Sequence, residues 1–553
     1  MSESVYLDQS KIQYHTFAPE SASNGTVTAS GSNWKVMLNQ IDMQDDSVAY
    51  KAGNKAELKG VFDPGHVTFS NINLDATNFS YSTDLTKVSV KKFNAIDQNN
   101  FAIKRLESDF SMDQHSITAK NTKISTNNSL VDADLSLQFT SLALLTDSLQ
   151  FTNVNLNLRN LSFRNSDLLY FKQDLIAQPF FKNASMITTA SGVINGPMNN
   201  LSAKNLAIKT GVNTTIETDF IIKGLPNIET AYYDFPNLRM TSGKTDIVMM
   251  AESYIPKSID LPENLSMQVV FKGKLKSFES TANMTSSFGD ANLTASIDPT
   301  EHFDGKASMN GLDLGRLLKD TLLYGPVTLT AEAIGQGLDM NTIKAKIKAD
   351  VTQIHLNRYT YHKLQMDGTV TGKEFEGKIS LNDENAVFDF DGLVNMNPDL
   401  ERYKFKLNVK GADFQKLKFT KKDARIAFVA AADLKGGTVS QMNGTVGITN
   451  IIVASNGKKY VLDSFLSATV NEPKKSELNI SSALIGIKYS GTVSPTALPA
   501  LLNQFSNTYF PFSDSIKQLQ KSPESSGSKF SFEIQLHNHP ILSDVLFPQL
   551  KEF

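Results

Sequence analysis

The chain has 553 residues, enough for about two to four globular domains with cores of their own. Apolar residues make up 40 % and charged residues 20 %, which excludes both a disordered polymer and a membrane-embedded protein. Lys and Arg total 54 against 57 acidic residues, so a net charge of −3 gives no global attraction to nucleic acid or an anionic membrane; the absence of cysteine removes disulfides, thiolate catalysis, Cys-ligated zinc and iron–sulfur clusters together.

Residues 1–20 contain no apolar run of signal-peptide length, and nowhere do about 18 apolar residues run together as a bilayer-spanning helix needs. Such a start is expected of a cytosolic protein or of a piece of a longer one, and the repetitive pattern that follows favours the piece.

That pattern has a period of two. Val131, Ala133, Leu135, Leu137 and Phe139 alternate with polar residues, as do Leu265, Met267, Val269 and Phe271. The same holds for Val327, Leu329, Ala331 and Ala333, for Ile343, Ala345, Ile347, Ala349 and Val351, and for Tyr403, Phe405, Leu407 and Val409. Phe530, Phe532, Ile534 and Leu536 repeat it near the C-terminus. Alternation of this kind sends one set of side chains to each face of a sheet, one dry and one wet, as antiparallel sheets allow. Breaks such as Asp391-Gly392, Asn397-Pro398 and Asn443-Gly444 separate the strands. Helical pattern is confined to 166–182, to 313–323 with Asp313 as N-cap, to 498–520, and to a turn or two in 539–550. The expected fold is all-β, with about three dozen strands of ordinary length and a few short helices.

So few helices cannot cover the apolar faces of so many strands, and those faces must be buried against something. Paired sheets, closed barrels or an open trough covered by a non-protein ligand would each serve. No linkers at sandwich-domain spacing are visible, and only 522–528 reads as a flexible insert, so an elongated antiparallel β-groove of stacked strands is the expectation. It divides into groove segments 1–165, 166–310 and 311–497, then 498–553 with a short helix and terminal strands.

Candidate chemistry is sparse. His537 and His539 on one strand face would suit a metal but lack a third ligand. Asp63-Pro64-Gly65-His66 reads as a turn, and Asp389 with Asp391 as a solvated face ahead of a glycosidase pair. The row Lys344, Lys346, Lys348 lacks the interleaved aromatics of a nucleic-acid platform. The glycine pair in Lys435-Gly436-Gly437 signals a hairpin, and no phosphate loop, nucleophile elbow or zinc-protease helix occurs. Triplets at Asn24, Asn78, Asn160 and Asn264 match the glycosylation pattern, which chance also supplies in so Asn-rich a chain.

Gly60-Val-Phe-Asp-Pro-Gly-His-Val-Thr-Phe-Ser-Asn-Ile-Asn-Leu74, followed by Phe79-Ser-Tyr-Ser82, resembles the FDPxH block of TamB-family proteins of Bacteroidota. The stretch from Ile222 to Phe235 resembles another block of that group, and 313–320 and 388–397 resemble its AsmA-like repeats. The resemblance spans roughly 60 to 500 and implies a member of the bridge-like lipid transfer superfamily: a periplasmic β-taco groove with an apolar interior, anchored at the inner membrane in the full-length protein. It implies phospholipid as cargo, an outer-membrane barrel partner met through parts missing here, no nucleic acid, no cofactor and no enzymatic activity.

The residue pattern and the resemblance meet in one expectation. Acyl chains lie against Leu265, Met267, Val269, Phe271, Val327, Leu329, Ile343, Ile347, Tyr403, Phe405, Leu407 and Val409, with headgroups in water. At about 4.8 Å per strand, three dozen strands extend on the order of 150 Å, which suits a bridge between membranes better than a shuttle. Rival readings are a structural β-repeat protein that binds no lipid, a carbohydrate-active solenoid, and a scaffold for outer-membrane protein assembly.

Overall fold

The computed structural model describes residues 4–16, 35–52, 57–142, 151–252, 255–438, 440–497, 499–500, 503 and 529–547. Strands make up 65 % of it, and the architecture is all-β. It divides into two units, Met1–Ser287 and Phe288–Phe553.

The first unit holds β1 (Ser4–Asp8), β2 (Lys11–Thr16), β3 (Val36–Ala52), β4 (His66–Tyr81), β5 (Leu85–Asp97), β6 (Ala102–Asp113), β7 (Ser116–Ser125) and β8 (Leu130–Gln138). It continues through β9 (Asn153–Arg164), β10 (Ile187–Pro197), β11 (Asn200–Thr210), β12 (Thr214–Lys223), β13 (Tyr232–Ser242), β14 (Leu265–Lys274) and β15 (Ser277–Ser286). From β3 to β15 each strand pairs antiparallel with its sequence neighbours. β1 and β2 depart from the expected antiparallel order. Both lie parallel to β3, beside its two halves, as one edge strand interrupted at Gln9 and Ser10. Fully buried Asp46 spans the interruption, accepting from the Ser10 N–H (2.5 Å) and the Gln44 N–H (3.0 Å).

These strands are long, 17 residues in β3 and 16 in β4, which is why fewer strands form than the turn signals suggested. Strands of this length stay curved by means of β-bulges. Asp45, Asn71, Asn121 and Asn205 take left-handed backbone conformations, which Asn and Asp tolerate better than other side chains. A neighbouring strand satisfies two of the displaced amides: Asp134 accepts from the Asn121 N–H (2.7 Å) and Asp219 from the Asn205 N–H (2.6 Å). Part of the chain's wealth of Asn thus serves backbone curvature.

The second unit holds β16 (Gly289–Ile297), β17 (His302–Asp313), β18 (Tyr324–Gln336), β19 (Lys344–Leu356), β20 (Tyr359–Thr371), β21 (Glu374–Asn382) and β22 (Ala386–Asn395). β23 (Arg402–Asp413), β24 (Arg425–Lys435), β25 (Asn443–Ser455), β26 (Lys458–Glu472), β27 (Lys475–Ser482), β28 (Ile485–Gly491) and β29 (Phe530–Leu536) complete it. All are antiparallel to their sequence neighbours, and among the described residues β16 and β29 do not pair, so the unit is not a closed barrel.

Helices are shorter than the periodicity suggested. The 166–182 segment forms α1 (Asn165–Phe171) followed by 3-10 turns at Gln173–Ala177 and Pro179–Phe181. Lys244–Ala251 forms α2, which the sequence pattern did not signal. The 313–323 segment forms only one turn, α3 (Leu314–Leu317), capped by Asp313 accepting from the Arg316 N–H at 3.0 Å. Leu318 and Leu322 lie beyond it and are exposed, so the full amphipathic helix expected there does not form. Near the C-terminus only Leu542–Leu546 makes a helical turn. The helix expected over 498–520 and the insert at 522–528 lie almost entirely outside the described residues.

Candidate apolar groove

The register of the second unit sets apolar side chains in rows that cross the strands. One row runs Leu329, Val351, Leu364, Leu381, Phe388, Val409, Phe428. The next runs Ala331, Ala349, Met366, Ile379, Phe390, Leu407, Ala430, Ile448. A third runs Ala333, Ile347, Gly368, Gly377, Gly392, Phe405, Ala432, Val446. The opposite face carries Lys and acidic residues in cross-strand pairs: Lys306–Glu332 at 3.1 Å, Lys378–Asp391 at 3.6 Å and Lys410–Asp389 at 2.7 Å. These pairs are exposed and worth little each, but they keep that face wet.

The third row contains three glycines side by side, Gly368, Gly377 and Gly392. A Cβ on Gly377 would stand 2.4 Å from the Gly368 Cα and from the Asp367 carbonyl oxygen, so no side chain fits where these strands approach on the apolar side. The ring of Phe375 lies over Gly368, and Phe375, Phe390 and Phe405 follow one another with centroids 6.4 and 5.4 Å apart. Glycine under an aromatic ring thus makes a crease lined by hydrocarbon.

The two ends of the strands differ. At the end carrying the connections 313–324, 356–359, 382–386, 413–425 and 455–458, short non-strand segments cover the apolar face. Leu417, in the turn after β23, joins Leu381 and Ala386 in one buried cluster. Ile541, 2 % exposed, joins Ile451, Tyr460 and Leu462 in another, and Asp544 holds that segment through Lys458 (2.9 Å) and the Tyr460 hydroxyl (2.6 Å). Hydrogen bonds from both partners hold the Asp544 carboxyl below the usual range. At the same end Asp383, 3 % exposed, accepts from the Tyr359 hydroxyl (2.5 Å), the His362 N–H (3.0 Å) and the Asn385 N–H (2.9 Å). Burial alone would raise its pKa; the donors outweigh burial and lower it, while burial and the carboxylate push the Tyr359 phenol up to about 12.

The first unit is built alike. Phe62, Phe101, Tyr170 and Phe171 pack together, with Phe101 and Tyr170 stacked at 4.8 Å and the Tyr170 hydroxyl donating to Asp97. Asp167 gathers Thr126, Asn128 and Ser129, and fully buried Asp246 accepts from the Val212 and Asn213 N–H groups and the Thr214 hydroxyl. Each of these carboxylates ties a helical segment to a strand turn. They are anchors of the fold, and sequence reading missed them because their partners, side chains and backbone amides alike, lie more than 30 residues away.

Leu265, Met267, Val269 and Phe271 all project from one face of β14 and are half-buried. Their register partners on β13 include Met240, Leu238 and Phe235, so the apolar face continues across the strand pair. Leu329, Ile347, Tyr403, Phe405 and Leu407 are likewise half-buried on the apolar face of their strands. Ile343 sits in the hairpin just before β19. Val327, with no exposed surface, and Val409, 9 % exposed, are covered by protein.

Other candidates resolve into structure. His537 and His539 follow the end of β29, and His539 accepts from the Ile541 N–H (3.2 Å) in a turn, so they do not share a strand face. Among the described residues no group of three metal-ligating side chains occurs. Asp63 closes its turn by accepting from the Leu58 and Gly65 N–H groups at 2.9 Å. Among the described residues no helix is long and apolar enough to cross a membrane. Compared with known proteins, the chain matches no family model, no curated protein and no solved structure.

Proposed function

We propose that this chain binds phospholipid acyl chains along the apolar face of its stacked strands and conducts them, within a cell envelope, between inner and outer membranes. The observation that carries the reading is the half-exposed apolar face itself. From β18 to β25 its middle row, Ala331 to Ile448, is apolar on every strand, and Ile347, Phe390, Phe405 and Leu407 keep exposed surface where a packed core would have none. Each acyl methylene removed from water contributes about 0.8 kcal/mol, so such a face holds a lipid tail without a polar selectivity site. The resemblance to TamB-family sequences supports the envelope setting and phospholipid as the cargo; contact with an outer-membrane barrel partner belongs to the same proposal.

A photoreactive residue at Leu407, activated in cells, is expected to crosslink to phospholipid identified by mass spectrometry, and Phe405→Asp to abolish the adduct. Crosslinks to unfolded barrel proteins alone would favour the assembly scaffold. Protein purified gently and free of lipid would sink the proposal.

A further inference from the structure

The second unit's other strand end differs from its covered end. Here lie the hairpins 298–301, 337–343, 372–373, 396–401 and 436–442, and among the described residues none of them contains a helix. Backbone hydrogen bonds stitch them in series: Gly337 N–H to the Glu301 oxygen (3.1 Å), Gly372 N–H to Ile343 (2.8 Å), Met396 N–H to Lys373 (3.0 Å) and Gly436 N–H to Glu401 (3.0 Å). Within this ordered rim Leu338, Met340, Met396 and Leu400 stand 53, 72, 60 and 68 % exposed. Leu322 and Phe419 are exposed at the covered end too, but there buried segments separate them from the half-exposed rows, whereas these four adjoin the rows directly. Three of the five hairpins have both signs of charge in or beside them: Asp339 with Lys344, Lys373 with Glu374, and Glu401 with Arg402.

We infer that this rim is a lip over which a single zwitterionic phospholipid passes into and out of the groove, an inference that rests on the proposed acyl-binding face. The rim adjoins the half-exposed rows, whereas Leu417 and Ile541 close the opposite end. Mixed charge beside exposed hydrocarbon matches a headgroup with one phosphate and one ammonium, and offers a polyanionic headgroup as much repulsion as attraction. The lip side chains keep the upper acyl chain out of water while the headgroup crosses the charged rim.

The test uses the full chain, phosphatidylcholine donor and acceptor vesicles, and a trace of fluorescent phosphatidylethanolamine. Leu338→Asp, Met340→Asp, Met396→Asp and Leu400→Asp combined are expected to slow transfer by about tenfold or more. Lipid already bound at Leu407 should still crosslink. Met340→Asp alone, at the most exposed of the four, gives a smaller loss and guards against misfolding of the combined variant. Leu322→Asp and Phe419→Asp, exposed at the covered end, should transfer at the wild-type rate. Unchanged transfer in the lip variants, or equal loss in the covered-end variants, would overturn the lip. Absence of bound lipid in the wild-type chain would instead overturn the groove.

Discussion

Asp383 illustrates how single residues hold this fold. Its carboxylate replaces water for three donors at a turn where the strands themselves supply no acceptor. Asp383→Leu leaves those donors unsatisfied and is expected to cost about 1–3 kcal/mol in chemical denaturation. Because the folded carboxyl titrates below its unfolded value, its stabilisation is complete above the ordinary carboxyl range and is lost as pH falls toward the lowered folded value. The wild-type advantage over Asp383→Asn should therefore shrink between about pH 5 and pH 3, measured as the difference in melting temperature. Nothing in the local sequence singles out Asp383, since its donors Tyr359 and His362 lie across a strand pair.

At the scale of elements, the glycine row decides how closely neighbouring strands approach. Gly377→Ala puts a methyl group 2.4 Å from the neighbouring strand, which must move away, and is expected to cost about 1–3 kcal/mol by overpacking. A lowered urea midpoint with an unchanged strand signal in circular dichroism would check this; no loss would show that the crease relaxes freely. Asp391-Gly392 reads in the sequence as a break between strands, but Gly392 lies inside β22, and its alignment with Gly368 and Gly377 across β20, β21 and β22 depends on register, which turn lengths and bulges set. Bulges also explain why long strands were read as several short ones: each bulge resets the alternation on which a period-two reading relies. The helical segments failed differently. Leu314, Leu317, Leu318 and Leu322 have helical spacing, but α3 closes over Val327 after one turn. Tertiary packing there overrides local propensity.

For the whole molecule, the proposed lipid binding predicts that the loaded protein is more stable than the lipid-free one. A ligand that binds only the folded chain adds about 2.7 kcal/mol when present at a hundred times its dissociation constant. The melting temperature of delipidated protein should accordingly rise with added short-chain phosphatidylcholine, and a solvatochromic dye should bind the native state and be displaced by that lipid. A melting temperature indifferent to lipid would leave the apolar face without its proposed occupant.

Although Phe532, Ile534 and Leu536 of β29 are exposed despite their alternation, alternation alone determined that the protein is all-β and that strands such as β14, β18 and β23 have a wet and a dry face. Those properties follow from the two-residue period of an extended chain and need no knowledge of neighbours. Tertiary structure decided which dry residues keep surface. Val327 and Val409 share a pattern with Leu329 and Leu407, yet protein covers the first pair and leaves the second half-exposed. That difference arises from segments folding back across the strand ends, contacts between residues as distant as Ile541 and Ile451, and no local period encodes it.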